Sequence, residues 1–155
     1  MAKIYEIDKL DREILGILIK DAKIPYTEIA KRLVVSPGTI HVRMKRMERL
    51  GIVKGATLIL DHAKIGYDMT AFIGVYLVKG SAYSQVIREV ENIPEIVEAH
   101  FTTGEYSIFA KIICKNTEHL RQVINDKLQP VNGVSRTETI ISLGESIKKQ
   151  VYIEP

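Results

Sequence analysis

Apolar residues recur at helical spacing in the first fifty positions of the chain, and they alternate in much of the second half. Ile40, Met44 and Met47 lie at i, i+4 and i+7, which is typical of a helix that buries one face. Ser36 and Pro37 precede them; a serine hydroxyl accepts a free backbone N–H, and the fixed φ of proline suits a first helical position. The pattern predicts a helix that begins at Ser36 and runs to about residue 49.

Two earlier segments also have a helical pattern. Asp8 is a capping residue before an apolar stripe and predicts a helix from about Lys9 to Lys20. A short second helix fits residues 26–33, and Val34 and Val35 turn the chain into the third. Turns of this kind often hold glycine, so Val34 implies either a turn without a left-handed residue or some strain. Together the three helices predict a helix-turn-helix with a supporting first helix.

Beyond residue 70 the order strand, helix, strand occurs twice. We predict strands near 70–78, 96–102, 106–114 and 134–142, and helices near 82–92 and 117–128. The order βαββαβ is that of a ferredoxin-like fold, in which both helices cover one face of a four-stranded antiparallel sheet. The fold class is therefore α+β.

The predicted sheet is apolar on both faces. In its first strand Ala71 and Ile73 line one side, and Phe72 and Tyr76 line the other. Because a solvated face should carry polar residues, a second subunit is expected to cover the face away from the helices. The chain should form at least a dimer.

The chain divides into three parts on this basis. Residues 1–53 form the helix-turn-helix domain, residues 54–68 form a strand-like hinge, and residues 69–155 form the second domain. The hinge is too apolar to be a free linker.

Positive charge is concentrated in the first part. Residues 1–53 carry 11 Lys and Arg against 7 Asp and Glu, whereas the remainder carries 11 against 12. One stretch holds seven bases and a single acid: Lys31, Arg32, Arg43, Lys45, Arg46, Arg49 and Lys54. Such a patch on a slender helix suits the major groove of DNA. An ordinary solvated helix face is the alternative interpretation.

Several classes of protein are disfavoured. Cys114 is the only cysteine, so an internal disulfide is excluded and a small core residue is expected. No apolar run is long enough for a membrane span, and the N-terminus lacks the apolar region of a signal peptide, so a cytoplasmic protein is expected. The four histidines show no metal-ligand spacing, and no catalytic or cofactor motif is present. We expect neither an enzyme nor a metal site.

One connection carries candidate binding chemistry. Thr102, Thr103, Gly104, Glu105, Tyr106 and Ser107 join the second and third predicted strands. A plain hairpin explains the glycine. Alternatively, hydroxyls, backbone N–H groups and Glu105 converge on a small zwitterion. Thr137, Glu138 and Thr139 are similarly polar and could complete the same pocket.

Short motifs along nearly the whole chain carry a family resemblance. They are Asp8-x-x-Asp11-x-x-Ile14-Leu15, Glu28-Ile29-Ala30, the run from Val35 to Arg43, Gly51-Ile52-Val53-x-Gly55-Ala56, Gly66-Tyr67-Asp68, Thr102-Thr103-Gly104-x-Tyr106-Ser107-Ile108-Phe109 and Thr137-Glu138-Thr139. In these residues the chain resembles the Lrp/AsnC family of feast/famine transcriptional regulators, and in particular its AsnC branch.

The resemblance implies a winged helix-turn-helix domain, a hinge strand and a C-terminal RAM (regulation of amino acid metabolism) domain. It also implies dimers that assemble into octamers or similar rings, with an amino acid bound in clefts between dimers. The residues facing double-stranded DNA would be Ser36, Pro37, Gly38, Thr39, His41, Val42, Arg43, Lys45 and Arg46, and the loop 102–107 with residues 137–139 would line the effector cleft. Glu105 stands where asparagine-responsive relatives carry histidine, and an anionic side chain there favours a cationic or amide ligand.

The sequence therefore predicts an amino-acid-responsive DNA-binding transcriptional regulator, its effector being asparagine or another small amino acid. A stand-alone amino-acid sensor without a DNA role is the alternative, although it leaves the basic helix unused.

Overall fold

A computed structural model describes residues 5–154, which fall into two compact units. The first unit runs to Ile59 and also includes the C-terminal residues from Lys148 onward; the second unit is Leu60–Ile147. The division therefore lies within the expected hinge 54–68, and the last residues of the expected second domain 69–155 group with the first unit. The terminal positions 1–4 and 155 of the predicted domains lie outside the described residues.

Three helices form the first unit: α1 at Lys9–Leu18, α2 at Tyr26–Leu33 and α3 at Pro37–Arg49. α1 ends two residues before the predicted Lys20, and the other two helices match the prediction. The stripe residues pack together as a core of fully buried side chains that includes Ile14, Ile29, Ile40 and Met47. This core fixes the faces that α2 and α3 leave exposed.

The connection between the units differs from the predicted hinge strand. Residues 53–61 are assigned to neither helix nor strand, and a short 3₁₀ helix follows at Ala63–Ile65. A strand requires backbone hydrogen bonds to a neighbouring strand, and the described residues of this single chain supply none. Leu58 and Ile59 are largely exposed.

The second unit has the predicted βαββαβ order. Its elements are β1 at Met69–Leu77, α4 at Tyr83–Val90, β2 at Ile96–Phe101, β3 at Ile108–Cys114, α5 at Thr117–Gln122 with a π-helical continuation at Val123–Leu128, and β4 at Val134–Ile141. The four strands pair in the order β2-β3-β1-β4, and all neighbours are antiparallel. The ferredoxin-like prediction is confirmed.

The two faces of this sheet have different surroundings. Ala71, Ile73 and Val75 of β1 belong to a buried core with Val86 of α4 and Val123. Cys114 also lies in this core, as expected.

The opposite face carries aromatic side chains, with the rings of Phe72 and Phe109 stacked at 5.7 Å. We call this surface the open face. It is apolar at its centre, as the strand patterns predicted.

Candidate DNA-binding and ligand sites

The start of α3 has the predicted cap. The backbone N–H of Thr39 donates to Ser36 Oγ at 3.1 Å, and Pro37 occupies the first helical position. Ile40, Met44 and Met47 are buried on the inner face. This anchoring determines which side chains of α3 point away from the unit.

The turn before α3 contains a left-handed residue. Val34 has φ 56° and ψ 48°, and its side chain is 90% exposed. Of the two interpretations open from the sequence, the left-handed turn is the one found. A non-glycine residue in this region costs about 1 kcal/mol, so the turn geometry is maintained by the packing of α2 and α3.

One exposed strip runs along α3. Each member has another member three or four residues away, so that together they cover one side of the helix: Gly38, His41, Val42, Lys45 and Arg49. The ring of His41 also makes an edge contact with Tyr26 of α2, with centroids 4.9 Å apart. We call this set the α3 strip. Of the other predicted DNA-facing residues, Ser36 and Pro37 are exposed at the helix start, and Thr39 is partly buried.

Two of the predicted DNA contacts, Arg43 and Arg46, form ion pairs within the unit. Arg43 Nη1 donates to Asp8 and lies 3.4 Å from Asp11 Oδ1, while Arg46 Nη1 donates to Asp11 Oδ2 at 3.1 Å. Asp11 is fully buried, and the Arg43 side chain is only 29% exposed. These arginines therefore do not project freely outward, because the carboxylates at the start of α1 attract them.

Asp8 itself is stabilised in its charged form. The backbone N–H of Asp11 donates to its carboxylate at 3.0 Å, and Arg43 donates from α3. Both hydrogen bonds lower the pKa of Asp8 below its usual value, the backbone bond more strongly. Asp8 thus caps α1 and also links it to α3.

The remaining cations of the basic patch are more accessible. Lys31, Lys45, Arg49 and Lys54 are exposed and form no ion pair with any residue in the range 5–154. Arg32 pairs with Glu28 of its own helix at 3.3 Å. The free positive charge of the patch therefore belongs mainly to these four residues.

The loop between β2 and β3 closes on itself. Thr102 Oγ1 donates to the carbonyl oxygen of Tyr106 at 2.7 Å, and the Thr102 N–H donates to the carbonyl of Ser107 at 3.2 Å. Gly104 has φ 110°, a conformation that favours glycine. Thr103 and Glu105 are exposed at its tip. The loop is a compact turn, as the hairpin interpretation required.

Tyr106 leaves this loop and lies on the open face. Its ring makes an edge contact with Tyr76 of β1 at 5.2 Å between centroids, and the Tyr76 hydroxyl donates to Glu138 Oε2 at 3.3 Å. The Arg136 guanidinium lies 3.7 Å from the Tyr76 ring centroid. We call Tyr76, Tyr106, Arg136 and Glu138 the tyrosine cluster.

Negative charge surrounds both hydroxyls of this cluster. Desolvation raises the pKa of Tyr76 and of Tyr106, and the charges of Glu138 and Glu105 raise both further, while Arg136 partly opposes the shift at Tyr76. Glu105 is therefore close enough to act on the tyrosines electrostatically. Both hydroxyls stay protonated near neutral pH and can donate hydrogen bonds.

The structure separates the predicted trio on β4. Thr137 pairs opposite Val75 and Thr139 opposite Ile73, on the helix-covered side, and Gln129 Nε2 donates to Thr137 Oγ1 at 3.4 Å. Glu138 points to the open face instead. Consecutive residues of a strand face opposite ways, so Thr137 and Thr139 lie on the other face of the sheet from Glu138.

Sequence reasoning missed two members of the cluster and the glycine beneath it. Tyr76 was assigned only to an apolar face, Arg136 was not considered, and Gly74 leaves the space that the Tyr106 ring fills. Register was the missing information: Tyr76 pairs opposite Arg136 and Gly74 opposite Glu138.

Among residues 5–154 no group of three or more His, Cys, Asp or Glu side chains could hold a metal ion. Within the same range, no helix is sufficiently long and apolar to cross a bilayer.

Comparison with known proteins identifies both units. The family described as winged helix-turn-helix DNA-binding matches residues 7–54, and the Lrp/AsnC ligand binding domain matches residues 70–152. The chain is therefore a DNA-binding transcriptional regulator with a separate ligand-binding domain. It belongs to the Lrp/AsnC family.

Relatives align along almost the whole chain. It is 44% identical to the regulatory protein AsnC of Haemophilus influenzae and 40% identical to that of Escherichia coli, over 95% of this chain and 98% and 97% of those proteins. The structure of E. coli AsnC superimposes with a TM-score of 0.90 at 39% identity, covering 96% of this chain and 99% of that one.

A Neisseria meningitidis regulator solved as an L-Met complex has the same fold, with a TM-score of 0.88 at 23% identity over 97% of both chains.

Proposed function

We propose that this chain is an amino-acid-responsive regulator that binds promoter DNA through the exposed side of α3. The supporting observation is the α3 strip, which combines small and uncharged Gly38 and Val42 with exposed Lys45 and Arg49 on a capped helix. Small residues allow close approach to base edges, and the cations attract phosphates. Promoter DNA implies a cytoplasmic site of action.

DNA binding is tested by salt dependence. We compare the wild type with a Lys45→Gln/Arg49→Gln variant on duplexes selected from a random-sequence pool, because the operator is unidentified. Each phosphate contact contributes a slope of roughly 0.9 in log affinity against log salt, so the variant should bind more weakly and with a shallower slope. A Lys20→Gln/Lys23→Gln variant changes exposed cations outside the strip and serves as the control.

Unchanged binding in the strip variant would contradict the role of α3. Failure of the wild type to bind any duplex would favour the alternative, an amino-acid sensor without a DNA role.

The ligand site that we propose is the tyrosine cluster with the adjoining loop residues 102–107. Arg136 can bind a carboxylate, and Glu138 or Glu105 can bind an ammonium group, so the cluster offers both charges that a zwitterion needs. The N. meningitidis structure holds L-Met, which supports an amino acid as the class of ligand.

A thermal-shift screen over the amino acids tests this site. A ligand that binds only the native state raises the unfolding temperature. Arg136→Gln should abolish the shift, whereas Arg121→Gln, on an exposed helix position paired with Glu118, should retain it. Equal shifts in both variants would argue against the cluster.

We further propose that dimers form through the apolar centre of the open face, around Phe72 and Phe109, and assemble into octamers or similar rings. The tyrosine cluster, at the end of β1 and the start of β4, would then be left for a ligand in a cleft between dimers. A ligand can shift such an equilibrium only if it binds two assemblies with different affinity. The change would alter how many DNA-binding units are correctly spaced along a promoter. Light scattering with and without the ligand tests this step, and an unchanged size distribution would argue against it.

A further inference from the structure

Gly38 has no structural requirement within the first unit. Its φ does not lie in the left-handed region, and an added Cβ would meet only Ser36 Oγ, at an ordinary contact distance of 3.7 Å. Glycine is nonetheless the least favourable helix residue apart from proline. Its presence on the exposed strip therefore suits close approach by something outside the unit.

Val42 lies one turn further along the same strip. It is 68% exposed, and the other aliphatic side chains of α3, Ile40, Met44 and Met47, are buried. Valine is also a poorer helix former than alanine or lysine because its β-branch restricts χ1. Neither the core nor helix propensity explains an exposed valine at this position.

The charged neighbours of Val42 are directed elsewhere. Arg43 pairs with Asp8 and Asp11, and Arg46 pairs with Asp11. His41 contacts the ring of Tyr26. Among the Lys and Arg side chains near Val42, only Lys45, about one turn further along the strip, is therefore without an ion pair to the described residues.

We infer that Val42 is a specificity-determining residue that packs against the 5-methyl group of a thymine in the major groove. This inference rests on the DNA-binding role proposed above. Only thymine presents a methyl group in the major groove, and an apolar side chain reads it by contact. Gly38 leaves room for the DNA to approach to that distance.

The test removes only the 5-methyl group of thymine from the DNA. Duplexes that bind the wild type are selected from a random-sequence pool, and each thymine of the bound sequence is replaced in turn by deoxyuridine. For each α3 bound to the duplex, replacement of one particular thymine should lower wild-type affinity about fourfold. This is the effect expected when the burial of one methyl group is lost. Deoxyuridine in the flanking sequence should have no effect.

A Val42→Ala variant completes a double-mutant cycle. Because Val42 is exposed, the variant should fold normally, and its affinity should differ less than twofold between thymine and deoxyuridine at the sensitive position. Gly38→Ala should weaken binding to the same duplex while the helix content is retained.

Three outcomes are distinguishable. A sensitive thymine whose effect disappears in Val42→Ala supports the inference. Wild-type binding that no deoxyuridine weakens, or a sensitive thymine that remains equally sensitive in Val42→Ala, overturns the inference but leaves the DNA role intact. A wild type that selects no duplex overturns both.

Discussion

Asp11 and Arg46 connect α1 to α3 through a buried carboxylate. The side chain of Asp11 is fully buried, and it accepts a hydrogen bond from Arg46 Nη1 at 3.1 Å. Arg43 lies 3.4 Å from its other oxygen. A buried carboxylate is stable only when such partners compensate its lost hydration, so this pair couples the orientation of α3 to that of α1.

Asp11→Asn should destabilise the first unit. The amide removes the carboxylate that pairs with Arg46, and it leaves Arg43 paired with Asp8 alone. We expect a loss of about 2 kcal/mol in the free energy of unfolding. Urea denaturation followed by circular dichroism measures it. Asp21→Asn is the control, because Asp21 is exposed and asparagine can also accept the hydrogen bond that the backbone N–H of Lys23 donates to it. A stability of Asp11→Asn equal to that of the wild type would contradict the coupling.

The pH dependence of stability should include a contribution from Asp8. Its pKa in the folded state is lowered, first by the backbone N–H of Asp11 and then by Arg43, from an ordinary value of 3.8. As pH falls, the Asp8 carboxylate is therefore protonated at a higher pH in the unfolded chain than in the folded protein. The stabilisation is present above about pH 4 and is lost as pH falls through the lower folded-state pKa.

Urea midpoints measured from neutral pH down through this window test the assignment. The midpoint of Asp8→Asn should fall less steeply with acid than that of the wild type, and Arg43→Gln should lie between them. Identical acid profiles for all three proteins would rule out Asp8 as a contributor.

Local sequence rules predicted the helices and strands well, but they failed where contacts between distant residues determine the structure. The Ser36 cap, the helical stripes and the alternation of β1 depend only on neighbouring residues, and the structure agrees with them. Helical spacing placed Arg43 and Arg46 outward, but it contains no information on Asp8 and Asp11, which approach from another helix. A left-handed Val34 likewise depends on packing that overrides a local preference.

The ligand-site prediction had a different weakness. Treating Thr137, Glu138 and Thr139 as one group ignored the two-residue period of a strand, which sequence alone could have supplied. The positions of Arg136 opposite Tyr76 and of Gly74 beneath Tyr106 required the strand register, which no local pattern provides.

Gly74→Ala should disturb the tyrosine cluster. An added Cβ would enter the space of the Tyr106 ring, which lies against Gly74. The ring must therefore move away from Gly74, and we expect a loss of about 1–3 kcal/mol from overpacking together with weaker ligand binding. Chemical denaturation and the thermal-shift assay measure the two effects.

Gly80→Ala provides the comparison, because no atom lies within 4 Å of a Cβ added there and its φ is not left-handed. If Gly74→Ala and Gly80→Ala are equally stable, the packing of the Tyr106 ring does not require glycine at position 74.

Cys114 should be unreactive in the folded protein. Burial raises the pKa of its thiol to about 11, and the thiolate is the reactive form. At pH 8 the thiolate fraction is on the order of one in a thousand, and the buried sulfur is inaccessible as well. Iodoacetamide should modify the native protein slowly and the urea-unfolded protein rapidly, as followed by mass spectrometry. Equal rates in the two states would contradict the assignment.

Two adjacent isoleucines of β4 lie on opposite faces of the sheet, one on the open face and one on the helix-covered face. Ile140 pairs opposite Phe72 and is 47% exposed, whereas Ile141 pairs opposite Ala71 and is 45% exposed. Their exposure in the single chain is nearly equal, so a glutamate at either position should remain partly solvated in a monomer. They differ in the face of the sheet on which they lie.

If a second subunit covers the open face, Ile140→Glu places a charge in an apolar interface, where burial of an unpaired carboxylate costs several kcal/mol, on the order of the stability of a dimer. We expect Ile140→Glu to sediment as a monomer and Ile141→Glu to retain the wild-type mass in analytical ultracentrifugation. Circular dichroism should show folded protein in both. An assembled Ile140→Glu, or a wild type that is itself monomeric, would show that the open face is not the dimer interface.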